Sequence, residues 1–440
     1  KVDATVRITI EIKVPKAVIY IPRYIRKADG RVYRVERADI QLEESSLQQK
    51  TTGARVYANE SVLSSGNFYK IGISTQGIYK IDYNYLINTF GVDPSAINPA
   101  NIRVYGNGGE MIAEDNAIPR ADDLVENAIK VVDGNDGQFN PGDYFLFYAN
   151  GPHTIMKDSL QKSFYHLSNI YSDLSFYFIC FDKGVGKRIA NGNNPSSANV
   201  NVVSYNDFMF TEKAASNLGK FGKSWWGDEF SEQPGRYLNR SYNFDIPAID
   251  LSTPIAIRTK LGAVSYSSST SFNVYANGQY LHASSLPLVG STYADSVIET
   301  ADLTTPFTMN STALQVELRF NKSGNSSAGY LDFIEVNARR FLQFNGYLNF
   351  ADWNSVATGN VANFQISNAT SSMFVWDITN PLEPVQMNTQ LVGNTANFIM
   401  DASVTLLKRM LRGEKISQAH REHYYQRLVQ IGWGHRNVAL

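Results

Sequence analysis

Asn277-Gly278 is the feature that most constrains what this chain can fold into. Both central positions of a type I′ turn need positive φ, a conformation that Asn and Gly tolerate, so the pair between alternating runs dictates a β-hairpin. Around it, residues 254–260, 271–276, 312–320 and 330–337 read as strands, and residues 254–345 as a sandwich or jelly roll. The connections at 265–271 and 322–328 are Ser/Asn/Gly loops. Jelly rolls with such loops often bind carbohydrate, but a fold does not prove a function, and a scaffold is the simpler reading.

The same punctuation runs through the rest of the chain. From Val2 to Val14 apolar residues alternate with polar ones, which predicts one long strand of about 40 Å at ~3.3 Å per residue. It is either an ordinary strand of its own domain or one that pairs with a partner's sheet edge. Residues 23–50 read as a hairpin plus a connection. Residues 67–73, 77–81 and 101–105 read as short strands, the last running into a turn at Gly106-Asn107-Gly108-Gly109 that needs positive φ. Residues 83–90 predict one or two helical turns, ended by Gly91.

A chain of 440 residues exceeds what one hydrophobic core serves and predicts two or three domains. Only 18% of residues are charged and the net charge is −1, so the surface relies on Ser, Asn, Thr and Tyr, as suits a secreted β protein. Without a basic excess there is no global electrostatic reason to bind nucleic acid. No stretch approaches the ~20 apolar residues of a membrane-spanning helix. Beginning at Lys1 with neither Met nor signal peptide, the sequence reads as a processed or truncated product.

Candidate sites are few. Cys180, the single cysteine, lies in the apolar run 176–181 and reads as a core residue; a nucleophile would need a stabilised, accessible thiolate. The loop 133–143 invites a weak Ca²⁺ reading through Asp133, Asn135, Asp136 and Asp143. Its spacing does not fit an EF-hand, no Glu closes it, and a polar turn between the strand ending at Val132 and the strand 144–148 is preferred. Trp225-Trp226 beside Asp228-Glu229 offers a binding surface of the sugar-stacking kind, or a junction filled by tryptophan. Adjacent carboxylates on a strand face opposite sides, so Asp228 and Glu229 are no glycosidase pair, and packing is the preferred reading. The six histidines show no zinc-ligand spacing, and phosphate-loop, nucleophile-elbow and dinucleotide signatures are absent from the sequence.

Two segments carry a resemblance: residues 329–344, Gly-Tyr-Leu-Asp-Phe-Ile-Glu-Val-Asn-Ala-Arg-Arg-Phe-Leu-Gln-Phe, and residues 375–381, Val-Trp-Asp-Ile-Thr-Asn-Pro. In this order they resemble the region just before the peptidase domain of PorU-type sortases of the type IX secretion system, which are gingipain-related cysteine peptidases. The likeness spans at least Gly66 to Pro381 and takes in the Trp-rich block at 222–229. It implies an exported, cell-surface protein on the extracellular face of the outer membrane. Its activity would be to remove the C-terminal sorting domain from secreted cargo and to attach the cargo to anionic lipopolysaccharide. The implied partners are an outer-membrane β-barrel anchor of the PorV type, the cargo and the lipopolysaccharide. The catalytic His and Cys of such enzymes have no matching motif here, and Cys180 lies in the wrong segment, so the chain is expected to be the noncatalytic portion, with its enzyme status left open.

The expected fold is mainly β, with several antiparallel β-sandwich or jelly-roll-like domains and a short C-terminal helical tail. The expected regions are 1–62 (long strand and hairpin), 63–215 (first β-rich domain), 216–345 (sandwich), 346–407 (β segment leading toward a peptidase domain) and 408–440 (basic amphipathic tail). That tail carries Lys408, Arg409, Arg412, Lys415, Arg421, Arg427 and Arg436 against Glu414 and Glu422, and departs from the family pattern. Two other readings stay open: a stand-alone adhesin or carbohydrate-binding β protein resting on Trp225 and Trp226, and a structural subunit of the secretion apparatus.

Overall fold

Asn277 and Gly278 adopt φ of 47° and 80°, and the strands they join, Thr270–Ala276 and Gln279–Leu286, pair antiparallel. The Asn277 side chain fixes the turn to the next strand, accepting from the Gln315 amide at 2.7 Å and donating to the Ala313 carbonyl at 3.1 Å. The computed structural model describes residues 5–11, 14–20, 24–26, 31–34, 57–113, 120–158, 161–220, 222–290, 296–357, 359–402 and 438–439. They fall into two compact units, residues 1–57 and 58–440.

In the first unit the alternating N-terminal run is not one strand. Thr5–Glu11 pairs antiparallel with Val14–Tyr20, in a register that sets Val6, Ile8 and Ile10 opposite Ile19, Ala17 and Pro15. Tyr24–Arg26 pairs with Val32–Arg34 as a second hairpin.

Among its described residues the second unit holds three large β cores and two smaller apolar clusters. The first lies between the sheet of Tyr69–Ile73, Ser175–Cys180, Arg103–Tyr105 and Glu126–Asn127 and the sheet of Gly77–Asp82, Tyr144–Ala149 and Lys130–Val132. Ile71, Ile179, Phe145 and Phe147 fill it. The expected helical turns follow at Tyr83–Phe90: Asp82 caps them by accepting from the Tyr85 amide, and Gly91, at φ 67°, ends them.

The second core is a sandwich of a five-stranded and a four-stranded sheet. The first runs Ser204–Glu212, Ala328–Phe341, Ile255–Val264, Glu299–Phe307, its fifth strand being the short Glu229–Phe230, which pairs with Ala328–Phe341; the other runs Asn239–Asp245, Ala313–Asn321, Thr270–Ala276, Gln279–Leu286. Strict period-two burial in Thr270–Ala276 points Phe272 and Val274 inward, where they meet Ile257, Leu318, Ile334 and Val336, all fully buried. Each such side chain contributes roughly 1.5–3 kcal/mol on leaving water.

The third core packs Val200–Val202, Val361–Ile366, Thr395–Asp401 and Gln390–Val392 against a sheet containing Asn349–Phe350, Val375–Asp377 and Val385–Met387. The molecule is mainly β, as expected, but its sheets are not wholly antiparallel. Val200–Val202 joins Val361–Ile366 in parallel, as Ala190–Asn191 joins Val385–Met387, because these strands enter from a different core and not through a hairpin. The tail at 408–440 lies outside the described residues apart from Val438–Ala439, a short strand and not helix.

Candidate functional site

The hairpin formed by Thr154–Asp158 and Ser163–Leu167 is the element on which both distinctive sequence segments converge. On one side it is held by the long strand Ala328–Phe341. Asn337 accepts from the Phe164 amide at 2.7 Å and donates to the Phe164 carbonyl at 2.9 Å, so a single side chain imitates a neighbouring strand. Two residues away Glu335 accepts from the His166 amide at 2.8 Å and meets His166 Nδ1 at 2.7 Å. His166 Nε2 meets Glu212, which also accepts from Ser168 Oγ at 2.7 Å.

The chain of charge continues beyond the hairpin. Arg258 donates to Glu335 at 2.9 Å and grips both oxygens of Asp302 at 2.8 and 2.6 Å. Burial alone would lower the basicity of His166, but the hydrogen bonds to Glu212 and Glu335 outweigh it and raise its pKa. Glu212 shifts the other way: its bonds to His166 and Ser168 overcome the penalty of burial and lower its pKa. With both ring nitrogens committed to carboxylates, His166 is a structural imidazolium and is not poised to accept a proton from a nucleophile. Its ring stacks on Phe210 at 3.9 Å, which excludes water from the pair.

Every charged residue of the long strand works this way. Asp332 pairs with Lys260 at 2.7 Å. Arg339 reaches Asn206, Ser204 and Asp352, and Arg340 reaches Asp207 and the Pro247 carbonyl. The segment 329–344 is therefore a set of clamps to different neighbours, which is why its order of residues is so specific.

On the other side of the hairpin a cleft of about 230 Å³ is lined by Glu110, Tyr148, His153, Ile155, Ile378 and Thr379, among others. The second distinctive segment builds this wall. Trp376 is fully buried with Leu146, Tyr148 and Ile378, and Asp377 accepts from the Thr379 amide to turn the chain. His153 accepts from the Asn169 amide through Nδ1 at 3.3 Å, and burial lowers its pKa, so the ring is neutral. Loss of solvent around its carboxyl raises the pKa of Glu110. Among the described residues, no cysteine or serine lines the cleft. Its chemistry is that of a weakly charged polar recess.

The residues singled out from sequence lie elsewhere. Cys180 is fully buried, and burial pushes its thiol up to about 11, as a core residue should behave. The carboxylates of the 133–143 loop bind their own turn: Asp133 accepts from the Asn135 amide, Asp136 from Gln138 and Asn140, and Asp143 from Asn140. These bonds shape a polar turn that joins the antiparallel pair Lys130–Val132 and Tyr144–Ala149, with one oxygen each of Asp133 and Asp143 and both of Asp136 used within the loop. Trp225 and Trp226 do not form one surface. Trp226 is 3% exposed, against Ile298 and Tyr330, while Trp225 is 39% exposed. Asp228 is bound by Lys213 and Tyr242, and Glu229 by Ser231 and Arg236. The binding reading thus fails for Trp226, whose ring fills the space above Gly262. What the sequence did not reveal is the Glu212–His166–Glu335 cluster; Glu335 and Asn337 were visible as polar residues in a strand, but their partners lie 169 and 173 residues away.

No family model and no curated protein matches the chain. Among solved structures, dimeric latent PorU from Porphyromonas gingivalis superposes with a TM-score of 0.64 at 22% identity, covering 78% of this chain and 31% of that one. The chain thus corresponds to about a third of the PorU chain. Two carbohydrate-binding modules are also similar to part of it: a CBM36-1 domain of a xylanase from the hindgut metagenome of Trinervitermes trinervoides (9% identity, 30% of this chain, 96% of that one, TM-score 0.20) and a CBM36 in complex with calcium and xylotriose (15%, 30%, 98%, TM-score 0.19). Scores that low do not amount to a shared fold. The chain has a PorU-like fold.

Proposed function

We propose that this chain is a noncatalytic portion of a PorU-like sortase of the type IX secretion system, exported to the extracellular face of the outer membrane. The observation that carries the reading is the superposition on PorU over 78% of the chain. In this role the β cores position a gingipain-like cysteine peptidase that removes C-terminal sorting domains from cargo and attaches the cargo to anionic lipopolysaccharide. They also bind an outer-membrane β-barrel of the PorV type. The burial of Cys180 and the locked state of His166 support the noncatalytic assignment, since a thiol nucleophile needs an accessible thiolate and a free base.

The test replaces Cys180 by Ala in the native gene and follows cargo processing, alongside capture of the purified chain by a PorV-type barrel. Intact processing and saturable capture are expected. Loss of processing by a folded Cys180→Ala protein would sink the noncatalytic assignment, and failure of capture would remove the anchoring role.

A further inference from the structure

The third core turns a face of amides outward. Asn201 and Asn363 stand opposite each other on paired parallel strands, and Asn397 and Gln390 oppose each other on the next pair. With Asn194 and Asn388 they line an open trough of about 1030 Å³, and among the described residues no charged one lines it. The trough runs across four strands, about 14 Å at ~4.8 Å per strand.

The amides are already oriented. Asn363 Nδ2 donates to Asn201 Oδ1 at 3.3 Å, Asn194 Nδ2 to the Asn388 carbonyl at 2.6 Å, and Asn388 Nδ2 to the Gly192 carbonyl at 2.9 Å. Asn397 Nδ2 donates to the Thr395 carbonyl at 3.2 Å. Protein donors are thus used inward, and the side-chain oxygens of Asn363, Asn388 and Asn397 keep their accepting capacity. Asn194 Oδ1 is shielded from solvent with no partner among the described residues. Asn201 is reversed, accepting from Asn363 and offering its NH₂.

We infer that this trough binds an uncharged, hydroxyl-rich chain, namely a neutral oligosaccharide. A hydroxyl both donates and accepts, which matches a row of amide oxygens interrupted by an amide NH₂. A charged ligand finds no counter-charge among the lining residues, and a hard cation would want carboxylates. An extended peptide is recognised along a sheet edge by its backbone, whereas this trough crosses the strands. Val392 and Ile399 supply apolar area for the faces of a sugar ring.

The experiment is calorimetric titration of the chain with cellotetraose, maltotetraose and mannotetraose, with an oligogalacturonate and an uncharged Gly/Ser peptide as the competing classes. Saturable binding of at least one neutral oligosaccharide is expected, weakened about tenfold or more in Asn194→Ala/Asn363→Ala, the loss of a net hydrogen bond or two. Melting is measured on each variant; where Asn194→Ala lowers it, the exposed pair Asn201→Ala and Gln390→Ala gives the reading instead. Absence of binding by all three neutral sugars, equal or tighter binding of the acidic sugar or the peptide, or binding that the substitutions leave unchanged would each overturn the proposal.

Discussion

His166 and Glu335 are joined twice, through the His166 backbone amide at 2.8 Å and through Nδ1 at 2.7 Å, both to the same carboxylate oxygen. Both side chains are 1% exposed. A single carboxylate thus fixes the path of the hairpin and the charge of the ring it carries, and the sandwich is locked to the hairpin through them.

This lock has a pH window. The folded pKa of His166 is raised, so its contribution is fully present below the unfolded value of 6.5 and is lost as pH rises through the higher folded value. Glu212 is lowered, so its contribution is present above the unfolded value of 4.5 and is lost as pH falls through the lower folded value. Melting temperature should therefore plateau at about pH 5–6 and decline on the alkaline side. His166→Gln should flatten that alkaline decline; a decline of the same slope in the variant would assign it to other groups.

Glu335→Ala should cost about 3–5 kcal/mol, because it leaves His166 buried with one partner fewer and removes one anchor of Arg258. Urea denaturation monitors this. A loss below about 1 kcal/mol, the range of an exposed pair, would mean that the cluster is effectively solvated.

The two tryptophans should separate cleanly. Trp226→Ala removes a ring that packs on Ile298 and Tyr330 and should cost about 3–5 kcal/mol, whereas Trp225→Ala should stay within about 0.5 kcal/mol. Equal effects on unfolding would contradict the opposite environments of the two rings.

How much of this was legible depends on distance along the chain. The Asn277-Gly278 hairpin and the Gly91-terminated turns follow from φ preferences of the residues themselves, and the structure places them where the sequence does. The N-terminal run misled because alternation continues through a reversal: the apolar set changes phase from Val6, Ile8 and Ile10 to Pro15, Ala17 and Ile19, a shift that period-two reading over Val2 to Val14 passes over. The His166 cluster was illegible because Glu212, Glu335 and Arg258 come from strands whose adjacency only the sheet order creates. Trp225 and Trp226, as neighbours in a short extended stretch, had to face apart, and that much the alternation rule already contained.

Gly329, the first residue of the long distinctive segment, tests whether that segment is constrained by packing. A Cβ there would lie 2.5 Å from Phe272 Cζ and 2.7 Å from Phe320 Cδ2, both rings of the sandwich core. Gly329→Ala should therefore destabilise by about 1–3 kcal/mol through overpacking, and Gly329→Ala/Phe320→Leu should recover part of it. An unchanged midpoint in the single variant would show that the rings move aside freely.

Cys180 gives the sharpest chemical test of the noncatalytic reading, since it is the one thiol in the sequence. It is fully buried and its thiol is pushed up to about 11, so at pH 8 almost none is thiolate and none is accessible. A thiol reagent such as Ellman's should modify the native protein only as fast as the first β core opens, and should modify one equivalent at once in concentrated guanidinium chloride. Fast native labelling would require an accessible thiolate, which the observed burial forbids, and would reopen Cys180 as a nucleophile. The same measurement on Glu335→Ala separates the cores: labelling that stays slow means the clamp on the hairpin can fail without exposing the sheet that carries Cys180.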